Sequence, residues 1–299
     1  MKILAARFAI SIYALALCGC SQRQGNVADA GSVWVVESRS TRLFLCGTIH
    51  LLRAQDYPLP ASYDSAYEAS QKLVFELPPG AEKGAQLAKQ MADAGRIRDG
   101  RSLFDMVDQA TADATRNWAR KRGVSMDLMR AFQPWFAALT VAATEYQAAG
   151  AEPGRGVDIY FEKKAAQDAK PGEGLESVQQ QIELFSKLPE ALQAELLSQT
   201  LAEVEALSGQ FGDMVAAWRS GDIEALNKLL FEEAERYPDL MNVFLFHRNE
   251  AWMSRLEQHL AGNENVMVLV GAGHLGGERG LIELLRRRGY QVRPYSTAP

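Results

Sequence analysis

Two short segments carry side chains able to do chemistry. Gly47-Thr48-Ile49-His50 and Gly271-Ala272-Gly273-His274 each set a histidine three positions after a glycine, and each follows an apolar run. Imidazole titrates near neutrality and is a frequent metal ligand, so it serves either as a proton shuttle or as a donor to a cation. Gly47 and Gly271 let the chain leave a sheet through conformations closed to other residues. Each histidine is thereby offered at the carboxyl end of a strand, where open α/β sheets build their sites. A lone loop histidine more often makes one structural hydrogen bond. A matched pair supports a shared site if the two strands are neighbours, although a motif this short is not specific by itself. His247, beside Arg248, and His259 read as helix-surface residues, with lining of a cleft as a lesser option for His247.

These histidines need a sheet to hold them. Val33–Glu37 and Leu43–Cys46 are β-rich runs joined by Ser38-Arg39-Ser40-Thr41, a hairpin signal. Leu73–Leu77 is a third run, stopped by Pro78-Pro79-Gly80. Asn265–Val270 is continuously apolar, which fits a buried strand. Glu278–Arg288 reads as a helix ended by Gly289, and Tyr290–Arg293 as a last strand. From about 81 to 260 the pattern is helical, with apolar residues recurring at three and four and a restart capped by Asp222. The expected class is α/β (α+β): a central mixed sheet with a large helical insertion between its first and last strands.

The first residues carry a different message. Lys2 and Arg7 precede a short apolar stretch ending in Leu17-Cys18-Gly19-Cys20-Ser21. A basic start, an apolar core and small residues at the cut describe a secretory signal. Leu-x-Gly-Cys resembles the bacterial lipobox, so residues 1–19 are expected to be a lipoprotein signal peptide and Cys20 the lipid anchor. Residues 20–31 then read as a tether, and residues 32–299 as the domain. Ser21, with no Asp in its place, resembles the pattern of lipoproteins sent to the outer membrane, facing the periplasm at the cell envelope. Of three cysteines, only Cys46 is left for the domain, so no internal disulfide is expected. Its strand setting favours a small core residue over a nucleophile. The net charge of -5, with both signs interspersed, offers no basic stripe for nucleic acid.

Several blocks in order resemble the TraB/GumN family, to which the animal Tiki proteases are related. They are Gly47–Leu51, Val74-Phe75-Glu76-Leu77, Gly156-Val157-Asp158, Leu175-Glu176-Ser177, Arg248-Asn249 with Trp252, Gly271–Leu275, and the ending from Gly280 to Val292. The resemblance runs from about Ser32 to Arg293. It implies a paired Gly-x-x-His active site and a fold related to the erythromycin esterase and ChaN-like proteins. In the Tiki branch it implies peptide hydrolysis dependent on a divalent metal.

Beside that resemblance stand the residues themselves. A catalytic metal site needs about three protein ligands and an open position. His50, His274 and Glu76 match that count for Mn, Co, Zn or Fe. Glu76 can equally be a polar cap on its strand. Either Glu76 or Glu176 can accept a proton from water. Asp158 can orient an imidazole through its second nitrogen, and Arg248 can stabilise an oxyanion. Asn249 and Trp252 are packing or positioning residues. The segment Ala169–Gly174, where a strand is expected ahead of Glu176, has little β propensity, and no His-Glu-x-x-His motif exists.

Two function classes follow. One is a membrane-tethered, metal-dependent hydrolase, peptidase-like, acting on a peptide or small-molecule substrate. The other is a lipoprotein without catalysis that binds or sequesters a peptide or other small ligand.

Overall fold

In the computed structural model, the described residues are 30–81, 85–152, 154–231 and 237–295. The signal-peptide, tether and lipid-anchor expectations, Cys20 included, lie outside them, apart from the tether's last two residues.

Six strands form one mixed sheet: β1 (Val33–Glu37), β2 (Arg42–Thr48), β3 (Lys72–Phe75), β4 (Gly172–Gly174), β5 (Val266–Gly271) and β6 (Gln291–Pro294), in spatial order β4-β3-β5-β2-β1-β6. The first two make the hairpin that Ser38–Thr41 signals, closed by Ser38 N–H to the Thr41 carbonyl at 2.9 Å. β2, β5, β3 and β4 run parallel, with β5 between β2 and β3. Strands far apart in sequence thus meet side by side, and their carboxyl ends line one edge.

Alternation along each strand divides the core. Val33, Val35, Phe44, Cys46, Leu73, Phe75, Met267 and Leu269 face one side. Trp34, Val36, Leu43, Leu45, Val74, Val266, Val268 and Val270 face the other. Both sides are buried, as expected for parallel strands covered by helices. The second face is covered by Trp252, Met253, Leu256 and Leu260 from a helix over His247–Leu260 and by Leu281, Ile282 and Leu285 from a helix over Leu281–Arg287.

The helical mass covers the first face. Its longest members, Pro134–Ala148 and Glu190–Ser220, pack side by side. The long helix ends at Gly221, whose φ of 74° is the left-handed conformation that glycine adopts without strain. Asp222 then caps the next helix, accepting from the Ala225 N–H at 2.9 Å. Trp218, near the end of the long helix, donates its Nε1–H to the Gly47 carbonyl at 2.7 Å, and Tyr63 donates to the same oxygen. The first histidine motif is therefore gripped from the helical layer.

One element departs from its propensity. Gly172–Gly174 is a strand despite its composition, because β3 supplies the partner backbone and the glycines allow close approach. A Cβ on Gly174 would stand 2.3 Å from the Pro78 nitrogen, and one on Gly172 would stand 2.6 Å from the Pro79 ring. Only a bare backbone fits beside those prolines, and it carries the chain directly to Glu176. β4 lies within the stretch whose pattern is mostly helical, where the strand ahead of Glu176 is expected. Among the described residues no helix is long and apolar enough to cross a membrane. Cys46 is a buried core thiol, its pKa pushed well up by burial.

Candidate active site

Four neighbouring parallel strands each deliver one side chain at the carboxyl edge: Glu176 after β4, Glu76 after β3, His274 after β5 and His50 after β2. The repeated glycine motif works because β2 and β5 are hydrogen-bonded neighbours, with Thr48 opposite Gly271. A Cβ placed on Gly271 would lie 3.2 Å from Glu76 Oε1, 3.6 Å from His50 Nε2 and 3.6 Å from the His274 ring. Those three side chains converge on the face of that one glycine.

Each imidazole has an oxygen close to its other nitrogen. His50 Nδ1 lies 2.9 Å from Asp158 Oδ2. Asp158 comes from the first turn of a helix over Val157–Gln167, whose amino end favours a carboxylate. That helix starts against the motif: Val157 N–H donates to the Ile49 carbonyl, and a Cβ on Gly156 would stand 2.5 Å from the His50 carbonyl oxygen. His274 Nδ1 lies 2.6 Å from Asn249 Oδ1. Asn249 directs its amide nitrogen to the Arg279 carbonyl at 2.9 Å, so its oxygen faces the ring and Nδ1 carries the hydrogen. In both rings Nε2 is left toward the centre.

His274 is 2% exposed and its ring packs on Trp252 at 4.5 Å. Burial first, then the adjacent Arg248 charge, depress its pKa to about 3. It is a neutral imidazole at physiological pH.

Arg248 is the centre of charge. Nη2 donates to Glu76 Oε2 at 2.5 Å and to Glu176 Oε2 at 3.0 Å, while Nε donates to Glu176 Oε1 at 2.8 Å. Nη1 donates to the Phe244 carbonyl at 3.0 Å and lies 3.1 Å from His274 Nε2. These partners account for all five guanidinium N–H directions. A π-helix over Asn242–Phe246 precedes Arg248, and such widened turns turn backbone carbonyls to other uses. Here the Phe244 carbonyl receives the guanidinium. Burial opposes the charge on Arg248, but Glu76 and Glu176 more than restore it and raise its pKa.

The two carboxylates differ. Glu76 is 3% exposed and accepts the Gly271 N–H at 2.6 Å. Burial works to raise its pKa, and Arg248 overrides that, holding it down to about 2. Glu176 also accepts from Trp252 Nε1 at 3.0 Å, and Gln181 Nε2 reaches both carboxylates at 3.3 and 3.4 Å. Glu176, Arg248 and Trp252 line an open cleft of about 510 Å³.

His50, Glu76, Asp158, Glu176, Arg248, Asn249, Trp252 and His274 all lie at this edge. His247 is exposed and lines the cleft. His259 is not a plain surface residue: its Nε2 lies 2.9 Å from Glu173 Oε1 on β4, away from the other histidines. Gln181 was missed by sequence reasoning, since a glutamine within a Gln-rich helix start gives no signal.

The residues fit a divalent cation in kind. Two imidazoles present Nε2 with Nδ1 engaged by an oxygen, the arrangement that supports a ligating histidine, and a carboxylate stands with them. No ready cluster of three His, Cys, Asp or Glu donors is present among the described residues, since Glu76 is turned to Arg248 and to the Gly271 N–H.

A model of the TraB/PrgY/gumN family matches residues 32–294. The chain is 25% identical over 247 residues to YbaP of Escherichia coli (strain K12), described as uncharacterized, covering 81% of this chain and 87% of that protein. It is 23% identical over 340 residues to the Xenopus tropicalis protein named Metalloprotease TIKI2, covering 92% of this chain and 61% of that one. The Danio rerio protein of the same name is 25% identical over 315 residues, with 83% and 57% covered. No solved structure matches.

Proposed function

Because this chain belongs to the TraB/PrgY/gumN family, we propose that it is a hydrolase of peptide bonds that depends on a divalent metal. The convergence of His50, Glu76 and His274 on Gly271 carries the proposal. Binding alone needs no pair of imidazoles fixed through Nδ1 toward one point. The relatives named as metalloproteases support the same reading.

His50, His274 and Glu76 would hold the ion, which lowers the pKa of water bound to it toward ~7. Asp158 and Asn249 keep the two rings turned with Nε2 inward. Glu176, 10% exposed in its side chain against 3% for Glu76 and lining the cleft, accepts the proton. With Glu76 turned to the ion, the Arg248 Nη2 hydrogen that now goes to Glu76 would be released toward the substrate carbonyl oxygen.

A second reading, sequestration of a peptide without cleavage, is favoured by one observation. Arg248 already holds Glu76 and stands against His274 Nε2, the atoms a cation would use. We also propose that the domain sits at the cell envelope, held to the outer membrane by lipid on Cys20. The residues around Leu17-Cys18-Gly19-Cys20 support that location.

The deciding experiment incubates the purified chain with a peptide library, with Mn, Co or Zn supplied, beside His50→Ala and His274→Ala. Fragments from the parent protein that vanish in both variants are expected. Peptides left intact under every metal would end the hydrolase reading and leave the sequestration one.

A further inference from the structure

The cleft lined by Glu176, Arg248 and Trp252 also has a largely apolar lining. It runs between the helix over Val178–Ser186, the start of the long helix, and the π-helix with the turn that follows. Leu184, Leu188 and Val243 line it together with Leu175 and Trp252. Its volume of about 510 Å³ is within the range of ligand sites, and larger than one amino-acid side chain.

The charges around it are spoken for. Arg248 is bound by Glu76 and Glu176, and at the rim Lys187 pairs with Glu183 at 2.7 Å. An ammonium or carboxylate entering this space would leave water and meet charged groups that are already paired, with His247 and Gln180 as its other polar neighbours, which is a costly exchange. A branched or aromatic side chain would instead exchange water for Leu184, Leu188 and Val243. The combined charge of Arg248 with its two carboxylates is negative, which adds to the exclusion of acidic groups.

From this we infer that the cleft is the specificity subsite of the proposed peptidase, and that it takes a large uncharged apolar side chain next to the bond presented to Arg248 and Glu176. The inference rests on the peptide-hydrolase reading for its place in a reaction, but the recognition it describes is a binding property. The backbone of such a peptide would put a carbonyl at the guanidinium while its side chain fills the apolar part of the cleft.

Binding is therefore measured apart from cleavage. The full chain is titrated with three blocked tripeptides, alanine flanking phenylalanine, glutamate or lysine, by calorimetry and by mass spectrometry of the products. The phenylalanine peptide is expected to bind about tenfold or more tighter than the charged ones. Leu184→Ala should weaken that preference. Leu184→Lys should turn it toward the glutamate peptide, a gain that an unfolded variant cannot show. Equal binding of all three peptides, or a preference unchanged in both variants, would overturn the subsite. Tight, selective binding with no product under any metal would uphold the subsite and sink the hydrolase.

Discussion

Arg248 and Glu76, 172 residues apart in sequence, meet in a 2.5 Å hydrogen bond with side chains 8% and 3% exposed. A charge so enclosed is tolerated only because each partner answers the other and Glu176 answers the remainder. The pair also welds the helix over His247–Leu260 to the end of β3, so the site and the second core layer share one fastening.

Removing both members should therefore cost less than the two single removals added together. Arg248→Met or Glu76→Gln alone is expected to lower unfolding free energy by about 3–5 kcal/mol. The double variant should lose less than the sum of the two. Urea denaturation of the four proteins measures the coupling, and additive losses would refute it.

Acid should act on the same centre in two stages. His274 has a folded pKa of about 3 against an ordinary 6.5, so the unfolded chain binds its proton first and stability falls as pH drops below about 6.5 toward 3. Glu76 is held at about 2 against 4.5, so its contribution is complete above 4.5 and is lost as pH falls through 2. Both signs agree: stability rises with pH across this range. Melting temperatures from pH 3 to 8 should show His274→Gln flattening the upper part of the curve and Glu76→Gln the lower. A His274→Gln profile parallel to the parent's between pH 4 and 6 would contradict the neutral imidazole.

Metal affinity separates the ligand set from its supports. His50→Ala and His274→Ala are expected to abolish retention of Mn, Co or Zn after dialysis. Asp158→Asn should weaken it by about 10–100-fold, as loss of a partner to a ligating histidine does. Metal content by elemental analysis decides, and equal retention in all variants would remove these residues from the ligand set.

The two motif glycines should fail differently. A Cβ on Gly47 would stand 2.7 Å from Leu275 Cδ1 and 3.1 Å from the Ala272 backbone, inside packed core. Gly47→Ala is expected to cost about 1–3 kcal/mol of stability. At Gly271 the new methyl meets Glu76 Oε1 at 3.2 Å and the two imidazoles at 3.6 Å. Gly271→Ala should impair metal retention and cleavage more than it lowers the melting temperature. Paired thermal and activity measurements check the contrast.

Much of this was legible in advance, and the reasons are local. β1, β2, β3 and β5 carry dense β-branched and aromatic runs, and Gly-x-x-His follows two of them. Glu76 stands out because a carboxylate ends an apolar run. β4 did not stand out, since Gly172-Glu173-Gly174 is a strand only by virtue of β3 and the neighbouring prolines. His259 read as surface because its partner Glu173 belongs to that hidden strand. The π-turn before Arg248 likewise leaves no mark in the residue types, and neither does the amide orientation of Asn249. Those features arise from contacts between distant segments, to which periodicity is blind.

The antiparallel course of β1 has a further consequence. Val33, at its beginning, is registered with Cys46 near the end of β2, so the chain enters the sheet on the same edge that bears His50. On the proposal that Cys20 carries lipid, the residues from Cys20 to Gly31 span at most about 40 Å. The leash would then hold the reactive edge toward the bilayer, inside a gap of that height. Slender or unfolded chains could thread such a gap, and bulky folded proteins would be kept out by the membrane itself.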